Sequence, residues 1–129
     1  MDFDSIKIEV NSRLKELVDI PVYNLKAVPI YPATELPNNY IVYKFPPVDL
    51  RTNASCNNRM IEIDYWSRGT DDSTIMEASK LVKDGLNFYS SPNSRFRSFL
   101  QVEGELVDPD PTVSRYHQEY WIKDWDVSI

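Results

Sequence analysis

Cys56 and His117 are the chain's only cysteine and only histidine. A thiolate nucleophile with an imidazole base is the chemistry such a pair could do. That chemistry needs the two side chains within hydrogen-bond reach and a third group to orient the base. Cys56 lies in a polar loop and His117 in an expected strand far along the chain. Cys56 therefore reads as a surface or interface thiol and His117 as an exposed histidine. One Cys and one His cannot supply the three or four strong ligands of a zinc site. Asp108 and Asp110 flank Pro109 and could suggest calcium, but the EF-hand spacing and its bidentate Glu are missing, so a turn explains them. Glu62 and Asp64, two apart on one strand face, could mimic an acid/base carboxylate pair. No third group supports that, and a solvated or inter-subunit face is the better reading. Gly69, Gly85 and Gly104 are the three glycines, too scattered for a phosphate-cradling loop. No catalytic residue, cofactor or metal is expected, and the chain reads as a non-enzyme.

The bulk numbers narrow the class. A chain of 129 residues with 42% hydrophobic and 12% aromatic residues has enough apolar surface for one core, so a single domain over 1–129 is expected. A single cysteine excludes an internal disulfide, which makes a reducing compartment the expectation. No apolar run approaches the ~20 residues of a membrane-spanning helix, and no membrane role is expected. The net charge of −6 argues against gripping nucleic acid, which needs a surplus of Lys and Arg to displace counterions. A negative wall would instead let DNA slide past without sticking.

The elements that must position these residues follow from periodicity. Phe3, Ile6, Val10, Leu14 and Leu17 recur at spacings of three and four, which predicts an amphipathic helix from about Asp4 to Asp19, ended by Pro21. A short strand over Val22 to Val28 is expected next, then a proline-punctuated loop. Tyr40 to Phe45 alternates as a strand, and Val48 to Asn58 is a long polar loop. Met60 to Ser67 is the clearest strand: Ile61, Ile63 and Tyr65 share one face, Glu62 and Asp64 the other. Ile75, Ala78, Val82, Leu86 and Tyr89 predict a helix from Thr74 to Tyr89, begun by Asp71 and Asp72. Gly85 inside it costs about 1 kcal/mol against Ala, which predicts a close contact with a neighbouring strand. Phe99 to Val107 and Arg115 to Trp125 close the chain as strands. In the last, Tyr116, Tyr120 and Ile122 share one face and His117, Glu119, Trp121 and Lys123 the other. A Trp on a charged face reads as a contact site, unless the N-terminal arm covers it. The fold class is α+β: a mainly antiparallel sheet of about five strands with two helices packed on one face, in the order α-β-β-β-α-β-β.

This order, in about 130 acidic residues, resembles the tail terminator (tail completion, head–tail joining) proteins of long-tailed bacteriophages and prophages. The resemblance rests on the Tyr40-Ile41-Val42-Tyr43 strand, the Arg59 to Ser67 strand, the Ile75 to Leu86 helix that follows it closely, and the closing strand Arg115 to Ile122. It covers about Ile6 to Val127. It implies a virion protein, present in the host cytoplasm during assembly, that forms a self-associating ring, usually a hexamer, on the completed tail tube. Such a ring stops tube polymerisation and presents a surface to the head connector, while DNA passes through unbound. On this reading the long loop with Asp49 and Arg51, and Arg59 beside it, reaches the tube protein or the next subunit, and Glu62, Asp64 and Trp121 are further contact candidates. The alternatives are another neck or tail component (a head completion or tail tube protein), or a small bacterial adaptor binding peptides by sheet-edge pairing.

Overall fold

The computed structural model describes residues 3–24, 37–47, 57–69, 71–91 and 96–124. Among the described residues eight elements follow one another: α1 (Phe3–Leu17), β1 (Val22–Asn24), β2 (Asn39–Lys44), β3 (Asn57–Ser67), α2 (Ser73–Leu86), β4 (Tyr89–Ser90), β5 (Phe96–Leu106) and β6 (Ser114–Asp124). All six strands join one sheet in the order β1-β2-β3-β6-β5-β4. The sheet is mixed, because β1 pairs parallel with β2 while every other pairing is antiparallel. The expected five strands become six among the described residues. The added one is β4, a two-residue strand pairing Tyr89 with Ser98 and Ser90 with Arg97. It takes residues that periodicity assigned to the end of the second helix and the loop after it. The reason is local: α2 stops at Leu86, and Phe88 adopts a positive φ of 59°, which reverses the chain onto β5.

Both helices pack on one face. Ile6, Val10 and Leu14 of α1 and Ile75, Ala78, Val82 and Leu86 of α2 share one buried cluster with Ile41, Tyr43, Ile61, Ile63, Tyr65, Phe96, Tyr120 and Ile122. The alternation along β3 and β6 is thus the alternation of core and far side, as a period-two strand requires. Within that core, Tyr65 Oη donates to Gln118 Oε1 at 2.6 Å, Tyr120 Oη donates to the same oxygen at 2.9 Å, and Gln118 Nε2 donates to the Ser79 carbonyl at 3.1 Å. Gln118 is fully buried, and this closed network is what makes its burial tolerable.

Gly85 does make a close approach, but to a helix and not a strand. A Cβ there would press into the Leu17 methyls of α1, and Arg13 donates through Nε and Nη2 to the Gly85 carbonyl at 3.2 and 3.0 Å. At the start of α2, Asp71 rather than Asp72 supplies the side-chain cap, accepting the Ser73 N–H at 2.9 Å. Backbone and side-chain hydrogen bonds from Ser73 lower the Asp71 pKa.

Candidate functional site

Cross-strand register arranges the far face in rows. The first row runs Tyr40, Trp66, Arg115, Leu106, and the second Val42, Asp64, His117, Gly104. The third is Lys44, Glu62, Glu119, Val102; then come Met60, Trp121, Phe99, and last Asn58, Lys123, Arg97. Three zones result, one aromatic and cationic, one of alternating charge, and one a groove.

In the first zone Tyr40 and Trp66 stack in parallel with centroids 6.0 Å apart, and the Arg115 guanidinium lies 3.9 Å from the Trp66 ring centre. Arg115 also sits 3.8 Å from both Asp64 and Asp108. In the second zone His117 Nδ1 is 2.7 Å from Asp64 Oδ1 and its Nε2 is 2.8 Å from Glu119 Oε2. Desolvation works against the imidazolium, but hydrogen bonds and charge from the two carboxylates outweigh it and raise the His117 pKa. The expectation of an exposed histidine is therefore corrected, since its side chain is only 17% exposed. Glu62 and Glu119 stand directly opposite, a repulsive pairing in isolation. Each carries its own cation: Lys44 lies 3.0 Å from Glu62, and His117 clamps Glu119. Both ring nitrogens are engaged by carboxylates, which favours the charged ring over the neutral one.

The third zone is a groove of about 640 Å³ lined by Phe88, Phe99, Trp121, Leu100, Gln101 and Lys123, with Asn58 and Asn87. The register between β5 and β6 shifts between Leu100 and Val102, leaving Gln101 as the extra residue at its wall. Phe88 is 75% exposed and meets Phe99 edge-on at 5.8 Å. Trp121 lies on the far face and in this groove. Since α1 packs the opposite face, that arm does not cover it.

Of the contact candidates, Glu62, Asp64 and Trp121 come together on this face. Arg59 does not: it is in β3, its Nε donates to fully buried Asp124 at 3.3 Å, and its guanidinium caps the Phe3 ring at 4.1 Å. Asp49, Arg51 and Cys56 lie outside the described residues, as does Trp125. Asp108 and Asp110 build the turn expected of them. Asp108 accepts the Asp110 N–H at 2.9 Å, and Asp110 accepts the N–H and hydroxyl of Thr112 at 2.9 and 2.7 Å. Among the described residues no group of three or more His, Cys, Asp or Glu is placed to hold a metal, and no helix is long and apolar enough to cross a membrane.

No protein-family model matches the chain, and no curated protein matches it. Among solved structures it is similar to a chain of the virion of a native gene transfer agent (GTA) particle. The TM-score is 0.63 at 16% identity, over 94% of this chain and 90% of that one. At that identity the likeness establishes a shared fold.

Proposed function

We propose that this chain is a structural component of a phage-like virion and works by shape at the head–tail junction. It caps the completed tail tube, stops its growth and offers a surface to the head connector. The observation that carries this reading is the fold shared, over nearly its whole length, with a chain of a gene transfer agent virion. The far face supports it as well. Several of its charges are paired with one another, and it carries an aromatic-walled groove, as suits contact with a protein. The assembly is a ring of identical copies, most simply a hexamer, with tube protein below and connector above. Its net negative charge leaves DNA free to pass.

Asp49 and Arg51 of the long loop remain the proposed contacts to the tube, whereas Arg59 is committed to Asp124 and Phe3. Asn57 already belongs to β3, so a deletion of Arg51 to Cys56 leaves that strand intact. Removing the gene from its parent genome and imaging the particles by negative stain tests the role. Overlong or headless tails are expected. Absence of any tail would mark a tube protein instead, and normal particles would end the reading. In the same assay the chain lacking Arg51 to Cys56 should fold but fail to restore head joining.

A further inference from the structure

The β5–β6 hairpin carries at its two ends features that complement each other. At the far tip Val107 is 97% exposed and Leu106 39%. The Asp108 and Asp110 carboxylates tie the backbone of the tip, and Asp108 faces Arg115. Around Val107 stand Glu105, Asp108 and Asp110, with Arg115 among them. At the near end the groove is walled by Phe88, Phe99 and Trp121, carries Lys123 beside Arg97, and has no acid among the described residues of its lining. Phe88 is held there at a φ of 59°, which a bulky side chain rarely adopts, and its ring is left facing solvent.

Eight residues separate Phe99 from Val107, about 26 Å of strand, so a copy cannot fill its own groove with its own tip. We infer that the acidic, apolar tip around Leu106 and Val107 of one copy docks in the Phe88–Phe99–Trp121 groove of the next, joining copies of this chain head to tail. The aromatic walls take the aliphatic side chains, and Lys123 and Arg97 meet the acids around them. Such a contact uses two different patches, so every copy offers one of each, and the chain of contacts closes into a ring where the rotation allows. This deepens the assembly reading above by naming the contact between copies, and it rests on that reading only for the claim that copies meet.

The test mixes two broken halves. Val107→Asp spoils the tip at a position too exposed to affect folding. Phe88→Asn with Lys123→Glu spoils the groove, and Asn tolerates the positive φ that Phe88 holds. Sedimentation velocity at low salt, up to about 1 mM, should show the wild type assembling beyond dimers. Each variant alone should bind itself about 30-fold more weakly or less, the loss of one interface anchor. An equimolar mixture of the two should give dimers and nothing larger, since one intact tip meets one intact groove. A wild type that stays monomeric, variants that assemble like the wild type, or a mixture that stays monomeric would each overturn the inference. The imaging of particles lacking the gene is independent of these outcomes, so the docking contact can fail while the virion role stands.

Discussion

The two faces of this sheet spend their side chains on opposite ends. The covered face is largely apolar and holds a polar knot, in which one glutamine satisfies two tyrosines and a helix carbonyl. The far face is a set of charge pairs and aromatics, ending in a groove. Burial against the helices makes each covered residue matter to stability. The Lys44–Glu62 pair, with its half-exposed lysine, matters far less, because water competes for each partner. The fold therefore depends on one side and leaves the other free to specialise.

The sharpest break of this contrast compares neighbours on β3. Ile63→Ala should cost about 2–5 kcal/mol, since the side chain is fully buried and leaves a cavity. Glu62→Ala, one residue away on the far face, should stay within about 0.5 kcal/mol, because its partner is a half-exposed lysine. Denaturant midpoints of the two variants check this, and equal losses would erase the distinction between faces.

A second variant tests whether the polar knot belongs with the core. Gln118→Leu keeps the volume but leaves two buried hydroxyls, those of Tyr65 and Tyr120, without an acceptor, at about 2–4 kcal/mol together. Adding Tyr65→Phe and Tyr120→Phe should recover most of that loss in thermal melts. If the triple variant is no better than the single one, the network is not what sets the cost.

Much of the covered face was legible from the chain itself. The alternation Ile61, Ile63, Tyr65 and the helical stripes of α1 and α2 put the core where the structure has it, because burial writes its period directly into residue type. Gln118 escaped, though it sits in phase with Tyr116 and Tyr120, because a polar residue in a hydrophobic phase declares its partners only in three dimensions. β4 escaped because two residues carry no period, and what creates it is the backbone of Phe88. On the far face Trp121 announced itself by standing among charges. Its groove did not, since Phe88 and Phe99 come from other elements and Gln101 enters through a bulge that no local pattern marks.

The third break lies between the helices over the covered face. Gly85→Val should cost about 1–3 kcal/mol, because the new side chain would occupy the space of Leu17. Leu17→Ala in the same chain should return part of the loss. Additive losses in the double variant would mean that the two residues do not share that space.

The smallest effect belongs to the far face and has a definite sign. The folded protein holds the His117 pKa above its ordinary value, so folding favours the protonated ring. The stabilisation is complete below the unfolded pKa of about 6.5 and fades as pH rises through the higher folded value. The neighbours act in concert: Asp64 and Glu119 hold the ring, Arg115 competes for Asp64, and Lys44 draws Glu62 away from Glu119. His117→Asn removes the titrating group and keeps a polar side chain. The difference in melting temperature between wild type and His117→Asn should be largest near pH 6 and shrink toward pH 9. Taking the difference cancels most other titrations, which both proteins share. A difference that stays flat, or grows with pH, would mean that the two carboxylates do not hold a charged ring.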